Sequence, residues 1–190
     1  PAQSGIKSFK EFIDAAKANA GKLSLGGSGQ NSANHAAHER LNAAFGVKTI
    51  YVPYKGTGDM ATAVLGAQID GAMTYTAFAI NNKERVRALA VAMEKRHPLM
   101  PDVPTFRELG GDWVDGAYRG IGVPKGTPPE ARKRLSDLWA ALNSDPEMKA
   151  LADKSGFELI NVGTDQMDAF MKDKIRIYTE GARALGLGKK

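Results

Sequence analysis

Lys22-Leu23-Ser24-Leu25-Gly26-Gly27-Ser28-Gly29-Gln30-Asn31-Ser32 is the stretch that decides the fold. Lys22 to Leu25 alternate as a short strand does, and Gly26-Gly27-Ser28-Gly29 reads as a glycine loop. Beyond the loop, Ala33, Ala36, Ala37, Leu41, Ala44 and Phe45 recur at helical spacing, and Gly46 is well placed to end the helix. Strand, glycine loop and helix in this order form the building block of an α/β sheet.

The flanking sequence extends the pattern in both directions. Upstream, Ser8-Phe9-Lys10-Glu11 is a capping box, with the Ser hydroxyl facing the Glu11 amide and the Glu carboxylate facing the Ser8 amide, and it predicts a helix that stops at Gly21. Downstream, Lys48 to Pro53 reads as a strand with Ile50 and Val52 on one face and Tyr51 on the other. A loop Tyr54-Lys55-Gly56-Thr57-Gly58 follows, then a short helix from Met60 to Ala67. Ile69 to Tyr75 and Val86 to Met93 are apolar enough for strands buried on both faces, with a helical stretch from Thr76 to Lys83 between them. Such alternation predicts an open, largely parallel α/β sheet. Pro98, Pro101 and Pro104 mark an irregular crossing, and Gly116 to Val123 resumes an extended pattern.

The last third is mainly helical. Thr127-Pro128-Pro129-Glu130 and Ser144-Asp145-Pro146-Glu147 read as further capping boxes. The first helix carries the stripe Ala131, Leu135, Leu138, Trp139 and Leu142, and the second ends at Gly156. Phe157 to Ile160 reads as a short strand. Thr164 is placed to cap a final helix with Met167, Phe170, Met171, Ile175 and Tyr178 inward, fraying at Gly186 and Gly188 before Lys189 and Lys190. The expected division is residues 1–120 as an α/β lobe and residues 121–190 as a mainly helical segment.

Composition narrows the function. The 190 residues are 43% hydrophobic and 25% charged, which excludes intrinsic disorder, and no apolar run approaches the roughly 20 residues of a membrane span. Without cysteine there are no disulfides, thiolate metal sites or Cys nucleophiles, and the redox compartment stays open. The net charge of +5 lies wholly in residues 1–100, with 12 basic and 7 acidic side chains, against 14 of each afterwards. A mild positive field suits small anions, whereas nucleic acid is not expected, because no run interleaves basic and aromatic residues. The chain begins at Pro1, as expected if a targeting segment was removed or if it belongs to a longer protein.

Two loops could carry chemistry. A glycine loop running into a helix offers unpaired backbone amides to a carboxylate or phosphate. It matches neither the Walker nor the dinucleotide pattern, and the plain alternative is a tight turn with a Ser or Asn cap. The loop at Tyr54 to Gly58 leaves the carboxyl end of the next strand and should share its rim. His35, His38 and Glu39 could form part of a metal site, but zinc hydrolases place the Glu between two His, and a third ligand is not apparent. No nucleophile, base and orienter trio is present, no cofactor is called for, and no metal ligand is assigned.

The stretches Lys22-Leu23-Ser24 with its Gly/Ser loop, Val52-Pro53-Tyr54-Lys55-Gly56, Leu65-Gly66-Ala67-Gln68-Ile69-Asp70-Gly71, Arg87-Ala88-Leu89-Ala90-Val91, Pro101-Asp102-Val103-Pro104-Thr105 and Pro124-Lys125-Gly126-Thr127-Pro128 stand in an order that resembles the substrate-binding proteins of tripartite tricarboxylate transporters, the TctC or Bug family. The resemblance implies a periplasmic, non-catalytic receptor of class II periplasmic-binding-protein type, which catches a small carboxylate or dicarboxylate and delivers it to membrane components of the transporter. It places the ligand at Ser28, Gly29, Gln30, Asn31 and Ser32, with His35, Tyr54, Gly56, Thr74 and Tyr75 around it. Relatives often carry an Asp near Thr74, where this chain has none, which disfavours an ammonium-bearing ligand. It further implies that residues 1–120 are the second lobe of a longer receptor and that the C-terminal helices pack partly on a first lobe outside this chain, or pair in a homodimer. The rival readings are a metal-dependent hydrolase built on His35, His38 and Glu39, and a half-receptor serving as a dimerisation or interaction module.

Overall fold

A computed structural model of the chain describes residues 1–184 and 186; the expected fraying at Gly188, Lys189 and Lys190 lies outside the described residues. The described chain forms two compact units, Pro1–Ala117 and Tyr118–Lys190.

The first unit is built on a parallel three-stranded sheet. Its strands are β1 (Ser24–Ser28), β2 (Ile50–Tyr54) and β3 (Gly71–Ala72), in the order β2-β1-β3. β1 pairs with β2 from Ser24↔Ile50 to Ser28↔Tyr54, and with β3 at Leu25↔Gly71 and Gly26↔Ala72. Helices α1 (Phe9–Ala18), α2 (Ala33–Phe45), α3 (Thr57–Leu65) and α4 (Thr76–Asn81) complete the unit.

Gly26, Gly27 and Ser28, expected in a loop, belong to the central strand, and only Gly29 leaves it. The reason is space. Successive strand residues face opposite sides of a sheet. A side chain on Gly26 would come within 2.5 Å of Ile69 Cδ1 and 3.2 Å of Met60 Cγ, and one on Gly27 would come within 2.7 Å of Asn34 Cβ. The glycines let α2 and α3 approach the two faces of one strand.

Each face seals its own core. Phe9 and Phe12 of α1 join Leu25, Leu41, Phe106 and Trp113 on one side; Met60, Ala63 and Val64 of α3 join Ile69 and Val86 on the other. Within the first core Phe106 stacks on Trp113 at 4.1 Å, and Phe9 meets Phe45 edge-on at 4.8 Å. Offset and edge-to-face pairs of this kind add about 1 kcal/mol to the burial of their rings.

Other expected elements are shorter or absent. The strand expected over Ile69 to Tyr75 shrinks to two residues, because the Asp70 carboxylate takes the Ser24 amide at 2.8 Å and the Ser24 hydroxyl at 2.7 Å in place of a backbone ladder. Val86 to Met93 is not a strand. It packs on the core but makes a single parallel bridge, Val91↔Thr105. Pro101 and Pro104 have no N–H with which to extend a ladder there. At the Ser8 cap the Glu11 amide donates to the Ser hydroxyl as expected, whereas the Glu11 carboxylate receives the Lys7 amide, not that of Ser8.

The second unit contains α5 (Pro129–Ser144), α6 (Pro146–Ser155) and α7 (Met167–Ala184). The proline-first reading of α5 is correct, but its cap is Pro128 without a side-chain bond, so Thr127 does not serve. At α6 the cap is Asp145, which takes the Glu147 and Met148 amides, instead of Ser144. A carboxylate one residue nearer the helix competes better because it carries full charge at the positive end of the helix. Thr164 does not start α7, where the Gly163 carbonyl accepts the Met167 amide. Gly116 to Val123 and Phe157 to Ile160 form no strands. The apolar stripes expected to face inward are largely open: Trp139 is 39% exposed and Ile175 60%, and Leu138, Met167 and Met171 are exposed as well.

Candidate functional site

All three strands run parallel, so their carboxyl ends lie on one edge, and the chain leaves each of them into the start of a helix. Ser28 is level with Tyr54. The Gly29 amide donates to the Tyr54 carbonyl at 2.7 Å, and the Met73 amide donates to the Gly26 carbonyl at 2.9 Å, which carries the third crossing to Thr74 and Tyr75 on the same rim. Ser32 caps α2, Gly56 precedes α3 and Tyr75 precedes α4. The edge thus gathers three helix starts, whose partial positive charge suits an anion.

The structure brings the expected residues together and divides their work. The Asn34 side-chain oxygen accepts from the Ser28 amide at 3.1 Å and the Ser28 hydroxyl at 2.5 Å. The Ser32 hydroxyl accepts the His35 amide at 3.3 Å and donates to the Ser28 carbonyl. Gln30 and Asn31 are exposed at the rim. Gly29 and Asn31 adopt left-handed backbone, with φ of 47° and 59°. Glycine and asparagine are the residues that tolerate this best. Thr74 contributes a buried hydroxyl with no hydrogen-bond partner, and such a group costs about 1–3 kcal/mol unless something polar meets it.

His35 is buried behind the loop, not open on it. Its Nδ1 accepts the Asn31 amide at 3.2 Å, and its Nε2 lies 3.7 Å from Glu39 Oε1. His38 is almost wholly enclosed, with Nδ1 2.9 Å from Glu39 Oε1 and Nε2 2.8 Å from the Thr49 hydroxyl. The Thr49 hydroxyl is also 2.8 Å from the Asn42 side-chain oxygen. These ring nitrogens are engaged in a network that ties α2 to the segment leading into β2. Among the described residues no group of three or more His, Asp or Glu side chains is arranged to hold a metal ion.

Sequence reasoning missed two residues of the site, Asn34 and Tyr51. Tyr51 stacks on His35 at 4.5 Å, and its hydroxyl lies 3.0 Å from the Ser28 carbonyl and 3.3 Å from that of Gly29. Strand alternation had set Tyr51 opposite Ile50 and Val52, and that was the available signal. Burial pushes its phenol above the ordinary value.

Burial also lowers the basicity of His38 below that of a free histidine, and the Glu39 carboxylate only partly opposes this. A folded value below the unfolded one means that stability is full above about pH 6.5 and is lost as the pH falls through the lowered folded value. Urea unfolding at pH 7.5 and pH 5 should therefore show a lower unfolding free energy at pH 5, and His38→Gln should reduce that difference. An equal difference in the variant would contradict the assignment.

A parallel sheet covered on both faces, with small polar groups and helix starts along one edge, is the architecture of a lobe of a periplasmic binding protein. Residues 1–187 match the model of the tripartite tricarboxylate transporter family receptor, TctC, and the chain belongs to that family. It is 32% identical over 190 residues to the "UPF0065 protein in gbd 5′ region" of Cupriavidus necator, covering all of this chain and 58% of that protein. Among solved structures, the periplasmic binding protein BugD superposes with a TM-score of 0.86 at 29% identity, over 99% of this chain and 64% of that one. A Rhodopseudomonas palustris protein solved with adipate shares the fold, with a TM-score of 0.88 at 24% identity over 97% of this chain and 62% of its own. The chain thus spans about three fifths of the length of these relatives.

Proposed function

We propose that this chain is the carboxylate-binding part of a periplasmic solute receptor, which takes up a small carboxylate or dicarboxylate at the rim and presents it to the membrane components of a tripartite transporter. The observation that carries the reading is the convergence of three helix starts and the unpartnered Thr74 hydroxyl on one edge of the sheet. Amides and hydroxyls are donors suited to a carboxylate, and the site needs no metal to attract it. The adipate bound by the Rhodopseudomonas relative supports a dicarboxylate. No described helix is long and apolar enough to cross a membrane.

In this reading residues 1–120 are the second lobe of the full-length receptor, and the remainder of that receptor supplies the opposite wall of the cleft. Residues 121–190 then pack partly on the first lobe, which accounts for the open apolar side chains of α5 and α7. The hydrolase alternative has no geometric support, since His35 and His38 spend their nitrogens inside the protein.

Calorimetry on the natural full-length protein with acetate, succinate, malate, adipate and citrate tests the function. One saturable site for at least one dicarboxylate is expected. Absence of binding across the panel would overturn the reading.

A further inference from the structure

The loop Ser28 to Ser32 is held from behind by a pair of stacked rings. Tyr51 of β2 lies against His35 of α2 with the ring planes 30° apart. The Tyr51 hydroxyl has one proton, which it directs at the adjacent carbonyls of Ser28 and Gly29. The Asn31 amide can only donate, so His35 Nδ1 must present its lone pair, which fixes the neutral ring with its proton on Nε2. One ring therefore holds the carbonyl side of the loop and the other its amide side, across the two left-handed residues Gly29 and Asn31.

We propose that Tyr51 and His35 are positioning residues: together they set Ser28 to Ser32 in the backbone conformation that presents the loop at the rim, and they do so only while His35 is neutral. An imidazolium would turn an Nδ1 proton toward the Asn31 N–H, donor against donor, and the bond would be lost. The titratable groups facing His35 are Glu39 and His38 on its own helix and Tyr51 on β2, with Tyr75 acting on Tyr51 in turn. The Glu39 carboxylate, 3.7 Å from Nε2, would receive the imidazolium charge. A protonated ring would thus exchange the Asn31 bond for a Glu39 ion pair and release the loop. The consequence for ligand affinity rests on the carboxylate-binding reading; the consequence for the loop does not.

The test separates the two. In the ligand-free natural full-length protein, amide hydrogen exchange at Asn31 should rise about five- to tenfold in His35→Phe, the scale of one lost hydrogen bond. His35→Asn, whose side-chain oxygen stands near the place of Nδ1 and does not ionise, should restore protection. With adipate as calorimetric probe, Tyr51→Phe should bind about fivefold more weakly. His35→Phe should weaken adipate binding to a similar extent and His35→Asn should recover part of that loss, a rescue that a purely space-filling role would not produce. Unaltered Asn31 protection in His35→Phe, or no recovery of protection in His35→Asn, would overturn the proposal. If the unaltered protein bound no member of the carboxylate panel, the functional reading would fall while the exchange data still decided the role of the two rings.

Discussion

Gly26→Val should lower the unfolding free energy by about 3 kcal/mol, near the upper end of ordinary overpacking effects. Even a single Cβ at this position would stand 2.5 Å from Ile69 Cδ1, 3.1 Å from Tyr54 Cε2 and 3.2 Å from Met60 Cγ. Those side chains are packed between α3 and the sheet and cannot withdraw without opening the second core. Gly58→Ala is the control, since nothing lies within 4 Å of its added Cβ. Urea denaturation of both variants decides the matter. An unfolding midpoint for Gly26→Val equal to that of the unaltered protein would show that the glycine is not there for packing.

The second large effect is expected at Met60→Ala. Met60 is fully buried and is the centre of the core formed with Ala63, Val64, Ile69 and Val86. Removing its side chain leaves a cavity that its small and branched neighbours fill only in part, for a loss of about 3 kcal/mol. Met60→Leu, close in volume, should cost under about 1.5 kcal/mol. Equal losses in the two variants would mean that something other than cavity formation governs the site. Because α3 begins at Gly56 on the ligand rim, the alanine variant should also loosen that edge, read as faster amide exchange in the first turn of α3.

The site was partly legible from residue order. Gly46 as the left-handed end of α2 followed directly from local chemistry and stands as expected, whereas the choice among the Ser and Asn candidates for its cap was open and the structure gives it to Ser32. The shared rim of the loops at Ser28 and Tyr54 followed from the order of parallel strands, which puts their carboxyl ends together, whereas Thr74 was set there only by the family resemblance. The engagement of His35 was not legible. Nothing in its spacing tells whether its ring faces a ligand or supports a loop, and the answer came from Asn31 on one side and Tyr51 on the other. The caps of α5 and α6 were misplaced by one residue because several Ser, Thr, Asp and Pro candidates stand side by side, and only backbone geometry chooses among them.

What the residues determined by themselves were the elements whose signals are local: the Ser8 cap, the glycine stops at Gly46 and Gly156 and the alternation of strand with helix, whereas α1, expected to stop at Gly21, ends at Ala18 with Asn19 as its cap. Their causes act within a few residues, and no distant partner is needed. Tertiary structure alone decided where an apolar segment becomes a strand. Val86 to Met93 has the composition of one but lacks a partner able to continue a ladder beyond Thr105, and Ile69 to Tyr75 keeps only two ladder residues beside Leu25 and Gly26. Tertiary structure also decided the meaning of Gly26-Gly27, which the residue string presents as a loop. With α2 on one face and α3 on the other, the same glycines form the thin centre of the sheet, because only a strand without side chains lets both helices come that close.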